Sequence, residues 1–346
     1  MRGCVLHGQK DLRLEALDEP SLRPGEVRVK IAAGGICGSD LHYFFEGRVG
    51  DFNVREPMVL GHEISGDVVE VGPDVTRTKV GDRVAVNPGK PCRTCPHCLG
   101  GRENLCANMI FFGSASRFPH VQGAFRETLV VRDFQCFPVP QDTRHSNLVF
   151  AEPFAVALHA VAQAGSLLGR RVLITGAGPI GCLIAVAARR AGAAHVTITD
   201  LSDNALEIAA KVGAHETVNV LSDSETPDCW QADRGCFDVS FEASGSARAV
   251  ETCVLSTRPG GVVVQVGMLA PGLTPIPLNR LLAKEVTLKS SFRFHEEFAW
   301  AVAALTTGGV DLSPLATAQF PFESAAEAFD AAHDRSRNMK VQIVFG

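Results

Sequence analysis

The spacing of apolar positions along the chain changes once, near residue 150. Before that point polar and apolar residues alternate in short runs. Glu26-Val27-Arg28-Val29-Lys30-Ile31 has the period of two that a half-buried strand requires. Residues 62–71, 82–86 and 124–137 are further strand candidates, bounded by turn formers such as Gly61, Gly72, Gly81 and Pro88. Short strands separated by regular turn signals predict a barrel-like or sandwich-like β domain.

After residue 150 the rhythm lengthens. Arg171-Val172-Leu173-Ile174-Thr175 is a compact apolar strand, followed by a Gly-rich turn and a helical run over 180–191. Strand patterns recur at 195–200, 216–220, 237–243, 261–267 and 285–290, with helical stretches such as 204–212 and 247–255 between several of them. Strands alternating with helices predict βαβ units and a parallel sheet, and six of them match a complete dinucleotide-binding fold. From residue 291 the rhythm stops. The expected organisation is therefore one domain built from 1–150 plus 291–346 and a second from 151–290.

Composition narrows the class. A chain of 346 residues exceeds what one core usually organises. With 46% hydrophobic and 21% charged residues it is not a disordered chain. The formal net charge of −5, with no basic stripe, argues against nucleic-acid binding. The apolar run 172–188 is broken by Gly176, Gly178, Pro179 and Gly181 and stops at Arg189, so it does not read as a membrane span of about 20 residues. Met1-Arg2-Gly3-Cys4 lacks an apolar signal core, which places the expected location in the cytoplasm. In that reducing compartment the 11 cysteines read as metal ligands, nucleophiles or small core residues. Cys4, Cys136, Cys182, Cys229, Cys236 and Cys253 are scattered and are expected in the core.

Gly176-Ala177-Gly178-Pro179-Ile180-Gly181 fits Gly-x-Gly-x-x-Gly, between a strand and a helix. Its glycines allow a tight turn, approach of a pyrophosphate to the backbone, and close helix–strand packing. Asp200 ends the next strand, where a carboxylate accepts ribose hydroxyls and repels the extra phosphate of NADP. No Lys or Arg follows it until Lys211, so NAD is the expected cofactor.

Cys92-x2-Cys95-x2-Cys98-x7-Cys106 has the spacing of a closed structural zinc site of four thiolates, with His97 inside the loop as a possible substitute. A second constellation is dispersed. Cys37, His62 and either Glu63 or Glu152 can supply the three protein ligands of an open catalytic zinc, but their spacing alone does not bring them together.

Taken in order, Cys37-Gly38-Ser39-Asp40-Leu41-His42, Gly61-His62-Glu63, Val80-Gly81-Asp82-Arg83-Val84, the four-Cys loop, Glu152-Pro153 and the glycine turn resemble the zinc-containing medium-chain dehydrogenase family over essentially the whole chain. The resemblance implies a GroES-like β-barrel catalytic domain and a Rossmann cofactor domain. It also implies two zinc ions per chain, NAD as hydride acceptor, and a homo-oligomer, dimeric or tetrameric. By resemblance the catalytic zinc is held by Cys37, His62 and a glutamate, with Glu63 and Glu152 exchanging the roles of ligand and water contact. Ser39 and His42 match the proton relay, Asp40 a group that orients a ligand, and Tyr43, Phe112, Glu152 and Arg293 the substrate pocket.

Within the family, Gly34 to Tyr43, Phe111-Phe112-Gly113-Ser114-Ala115, Phe118-Pro119-His120-Val121 and Ser291-Phe292-Arg293-Phe294 resemble the relatives that oxidise the six-carbon sugar acid L-idonate at C5. Sorbitol-type relatives carry Ala-Thr-Pro-Pro where this chain has Gly113-Ser114-Ala115-Ser116. An aldonate carries a carboxylate that needs a cationic partner once it leaves water. Arg293 is the leading candidate because its planar fork suits a carboxylate; Lys90, Arg117 and His120 are weaker ones. The alternatives are a sorbitol or xylitol dehydrogenase, an L-threonine dehydrogenase, a zinc-free reductase of the same fold, and a non-enzymatic zinc-binding protein.

Overall fold

The alternating run at 26–31 lies inside a ten-residue strand, Glu26–Gly35, whose Val27, Val29 and Ile31 point into a core. Burying each such side chain contributes roughly 1.5–3 kcal/mol. In the computed structural model, which describes residues 1–223 and 225–346, this strand is central to a seven-stranded sheet. The order is Cys136–Val139, Arg83–Val86, Glu63–Val71, Glu26–Gly35, Lys340–Val344, Ala316–Pro321, and Thr128–Arg132 also pairs with Glu26–Gly35. The strand from the C-terminal segment thus completes a sheet begun near the N-terminus, and Met1–Glu152 with Phe298–Gly346 form one compact unit.

Register at one end of this sheet prepares a site. Gly35 pairs with Glu63 on one side and with Gln342 on the other. Cys37, Glu63 and Lys340 all lie within two residues of this pairing. A Cβ on Gly35 would overlap Glu63 Oε2 and approach Val149, so only glycine fits. The core under the sheet is built from Leu41, Phe44, Leu60, Phe125, Phe329 and Ile343, among others.

Pro153–Glu297 forms the second unit. Its sheet has the order Glu216–Asn219, His195–Asp200, Arg171–Thr175, Phe237–Glu242, Thr257–Gln265, Thr287–Ser290, all parallel. In chain order this is 3-2-1-4-5-6, that of a complete dinucleotide-binding sheet. Val172, Leu173 and Ile174 on the central strand are fully buried, as parallel strands covered on both faces should be.

Several expectations need correction. The stretch 124–137 is two strands, Thr128–Arg132 and Cys136–Val139, separated by a turn at Asp133–Gln135. The buried Asp133 carboxylate accepts the N–H groups of Thr76 and Arg77 and the Thr78 hydroxyl, which draws the chain out of the ladder. The last strand of the parallel sheet starts at Thr287, because Glu285, at φ 49°, caps the helix Leu278–Lys284. Cys229 is exposed on the helix Glu225–Gln231 and Cys236 is only half-buried, whereas Cys4, Cys136, Cys182 and Cys253 are core residues. Among the described residues no helix is long and apolar enough to cross a membrane.

Candidate active site

Cys37 is the N-cap of the helix Gly38–Glu46, directly after the central strand. His62 and Glu63 stand at the start of Glu63–Val71, which pairs with that strand. Sheet register therefore brings thiol, imidazole and carboxylate together, with ligand atoms all within 4.8 Å of one another. His62 and Glu63 are buried. Burial pushes the Cys37 thiol up to about 12, and the Glu63 charge adds to this. A thiolate there needs a cation to displace its proton, as metal binding does. The set of one thiol, one imidazole and one carboxylate fits a zinc with one open position.

Glu152, near the start of the helix Ala151–Ala164, is buried beside this cluster but outside it. Burial raises its carboxyl to about 8, with His62 opposing and the Glu63 and Cys37 charges adding. Geometry thus groups Glu63, rather than Glu152, with Cys37 and His62. The Asp40 carboxylate accepts the N–H of Cys37 at 3.0 Å and of Gly61 at 3.1 Å. Ser39 is the second residue of the same helix, two positions after Cys37. His42 is exposed, with Nδ1 2.8 Å from Glu46 Oε1, on a cleft of about 220 Å³ also lined by His333 and Arg335.

Lys340 is a member that sequence reasoning missed. Its buried Nζ lies 2.8 Å from both carboxylate oxygens of Glu63 and donates to the Ile36 carbonyl at 3.2 Å. Burial alone would pull its pKa down, but Glu63 and Cys37 hold it above its ordinary value. No motif marks it; the available signal is a lysine at the start of a C-terminal strand pattern that also carries Val341, Ile343 and Val344.

The four-Cys loop closes on itself. Sulfur–sulfur distances are 3.5 Å for Cys95–Cys98 and 4.0 Å for Cys92–Cys98 and Cys95–Cys106. A tetrahedral zinc with bonds near 2.3 Å requires about 3.8 Å. Backbone N–H groups of Cys92 and Asn108 point at Cys106 Sγ, and that of Cys95 at Cys92 Sγ, as thiolates require. The Thr94 amide and hydroxyl bring the Cys92 thiol down to about 5. His97 is exposed and stands outside the cluster.

In the second unit the turn after Arg171–Thr175 is made by Gly176, at φ 94°. A Cβ on Gly181 would overlap the Gly176 carbonyl, whereas one on Gly178 would meet open space. The helix Pro179–Arg190 begins there with no side chain capping it, and Pro179 lacks an N–H to satisfy. Its first amides, with Ile180 half-buried behind them, suit a pyrophosphate. Asp200 Oδ2 accepts Ala177 N–H at 2.7 Å, and Oδ1 accepts those of Leu201 and Ser202 at 2.7 and 3.0 Å. About one of its four lone-pair positions stays open for a ribose hydroxyl.

The substrate-side residues are less uniform. Tyr43 is buried and its hydroxyl accepts Ala115 N–H at 3.0 Å, tying the helix to the 111–121 segment. Phe112 packs against the core, whereas the ring of Phe111 lies 5.6 Å from that of His62. His120 is not a free anion ligand: one ring nitrogen meets Arg55 N–H and the other the Arg117 carbonyl. Arg293, in the second unit at φ 57°, stacks 4.9 Å from the ring centroid of Phe292.

Residues 23–141 match the family model for the alcohol dehydrogenase GroES-like domain, and residues 179–307 that for the zinc-binding dehydrogenase. The chain is 44% identical over 346 residues to an L-idonate 5-dehydrogenase (NAD(P)(+)) of Escherichia coli, covering 99% of this chain and 98% of the relative. A crystal structure of L-idonate 5-dehydrogenase from the same organism superposes with a TM-score of 0.94, covering 99% and 98% of the two chains. Human sorbitol dehydrogenase is 37% identical over 335 residues, covering 94% of this chain and 91% of its own. An Escherichia coli alcohol dehydrogenase crystallised with NADH is 26% identical, with a TM-score of 0.90 over 100% and 99% of the chains.

Proposed function

This chain belongs to the zinc-dependent medium-chain dehydrogenase family, and we propose that within it the enzyme oxidises L-idonate at C5 to 5-keto-D-gluconate with NAD+. The dehydrogenase class follows from the family; the substrate is the proposed part. The observation that carries it is the 44% identity, over nearly the full chain, to the Escherichia coli L-idonate 5-dehydrogenase. Sorbitol dehydrogenases at 35–38% identity make a polyol the second reading.

Cys37, His62 and Glu63 would hold the catalytic zinc, and Cys92, Cys95, Cys98 and Cys106 the structural one. When bound, zinc supplies Lewis acidity at the substrate hydroxyl and NAD+ accepts the hydride. Ser39 Oγ takes up the hydroxyl proton and His42 carries it to the cleft, with Glu46 orienting the imidazole. Glu152, buried beside these residues, would contact a water brought in with the metal. Gly176, Gly178 and Gly181, with Pro179 and Ile180, seat the pyrophosphate, and Asp200 the adenosine ribose. Tyr43 and Phe112 support the wall of the substrate site, and Arg293 provides the cation for the aldonate carboxylate.

Two further features complete the reading. The edge strand Thr287–Ser290 is exposed along its whole length, next to exposed Leu278 and Leu282, and suits pairing with a second copy of this chain. Sedimentation showing only monomers at micromolar concentration would remove that part. The eleven unpaired cysteines suit a reducing compartment such as the cytoplasm, and fractionation of cells tests that.

NADH production from L-idonate, D-gluconate, sorbitol, xylitol and L-threonine in parallel tests the substrate. L-idonate is expected to have the highest kcat/KM, and sorbitol turned over as well as L-idonate would replace the aldonate with a polyol.

A further inference from the structure

The buried ammonium of Lys340 has no part in the chemistry above, yet it sits against the catalytic ligands. Glu63 and Lys340 belong to strands on opposite sides of Glu26–Gly35. Two strands that flank a third lie about 9.6 Å apart, so a direct bond between their side chains must pass over the middle strand. Gly35 makes this possible. It pairs with Glu63 on one side and Gln342 on the other, and it has no Cβ in the space the Glu63 carboxylate fills. Lys340 Nζ then meets both oxygens of Glu63 at 2.8 Å and the carbonyl of Ile36 at 3.2 Å. Ile36 is the residue before Cys37. One side chain therefore ties together the two segments that carry the thiol and the carboxylate of the metal cluster.

A buried ammonium is destabilising unless its donors are satisfied, so this contact is a fixed one. It limits the orientations of the Glu63 carboxylate and holds the backbone entering Cys37. Groups that orient metal ligands in this way typically change metal affinity 10–100-fold when removed.

We propose that Lys340 is the positioning residue of the catalytic zinc, aligning Glu63 with Cys37 across Gly35 before the metal arrives. The proposal rests on the reading of Cys37, His62 and Glu63 as zinc ligands.

The test compares the full-length enzyme with Lys340→Met, Lys340→Arg, Glu63→Gln and the double variant Glu63→Gln/Lys340→Met. Zinc at the catalytic site is titrated against a chromophoric chelator, with the four-Cys zinc as the internal count of folded protein. The visible spectrum of the Co(II)-substituted site is recorded in parallel. Lys340→Met is expected to bind zinc roughly 10–100-fold more weakly and to change the Co(II) spectrum, while the four-Cys zinc stays. Lys340→Arg is expected to recover most of the loss. The double variant is expected to bind only slightly more weakly than Glu63→Gln, because Lys340 acts mainly through Glu63 and only secondarily through the Ile36 carbonyl. Should Lys340→Met not fold, Lys340→Gln takes its place in the same comparison. Wild-type zinc affinity in Lys340→Met beside a clear loss in Glu63→Gln overturns the role of Lys340 alone, as do fully additive losses in the double variant. Wild-type affinity in Glu63→Gln overturns the ligand assignment and this proposal with it.

Discussion

Asp40 Oδ1 lies 3.7 Å from Nδ1 of His62, a buried ring nitrogen with no hydrogen-bond partner of its own. The same carboxylate holds the amides of Cys37 and Gly61, so it touches the backbone of Cys37 and of the residue before His62. Its full burial raises its pKa, with the imidazole and the two amides opposing. A small closure of the 3.7 Å gap would make the imidazole–carboxylate bond that orients metal-ligating histidines.

Asp40→Ala should therefore loosen the catalytic zinc and lower kcat/KM by roughly 10- to 100-fold. It also leaves two N–H groups without an acceptor, which costs about 1–3 kcal/mol each where they are buried. Zinc content after dialysis, read beside kcat/KM, checks this. Full zinc retention with full activity would remove Asp40 from the site.

Asp200 should make the enzyme prefer NAD to NADP. Its carboxylate is held in place by three backbone amides, so it cannot easily swing away from a 2′-phosphate. Asp200→Asn keeps an oxygen for two of these amides and removes the charge, and should narrow the preference. The ratio of kcat/KM for the two cofactors reads it directly. An unchanged ratio in the variant would refute the role of Asp200.

Arg293→Ala should lower kcat/KM for L-idonate by about 10- to 150-fold, the range of one charge-assisted contact of 1.5–3 kcal/mol. Sorbitol, which has no carboxylate, should be affected far less. Equal losses on both substrates would move the carboxylate contact to another residue.

The buried pair of His159 and Glu297, 2.9 Å apart, predicts a pH-dependent contribution to stability. Burial pushes the Glu297 carboxyl up, but His159 and the His295 amide outweigh it and leave the group below its ordinary 4.5. A carboxyl depressed in the folded state stabilises above its unfolded pKa and loses that contribution as pH falls through the folded value. Glu297→Gln should thus cost roughly 1–3 kcal/mol at pH 7 and progressively less below about pH 4. Chemical denaturation of both proteins across this range measures it. A difference that stays constant with pH would contradict the role given to the Glu297 carboxylate.

What was legible in the sequence is what is local. The four-Cys loop and the glycine turn each fit within fifteen residues, and backbone geometry over such a span is nearly set by residue type. The parallel sheet was legible too, because six short strand patterns recur with helical stretches between several of them. Glu63 and Glu152 stayed open alternatives because only sheet register, 89 positions apart in the chain, sets which lies nearer Cys37. Phe111 and Phe112 are adjacent aromatics, and nothing in their order indicates which one faces His62. Cys229 resembles the core cysteines in sequence but sits on the outward side of a short helix. Lys340 was illegible for a physical reason: a single charged residue in a strand gains meaning only from the side chain it meets.

Glu63 and Lys340 are 277 positions apart. Ribosomes add about 5–20 residues per second, so the carboxylate leaves the exit tunnel tens of seconds before its cation exists. During that interval the nascent N-terminal sheet lacks the Ala316–Pro321 and Lys340–Val344 strands, and the Ala33–Gly35 end of Glu26–Gly35 has no partner on that side. The Pro153–Glu297 unit, by contrast, is contiguous in the chain and is complete before the Lys340–Val344 strand is made. The order of synthesis therefore makes the Glu63–Lys340 contact one of the last in this sheet to form.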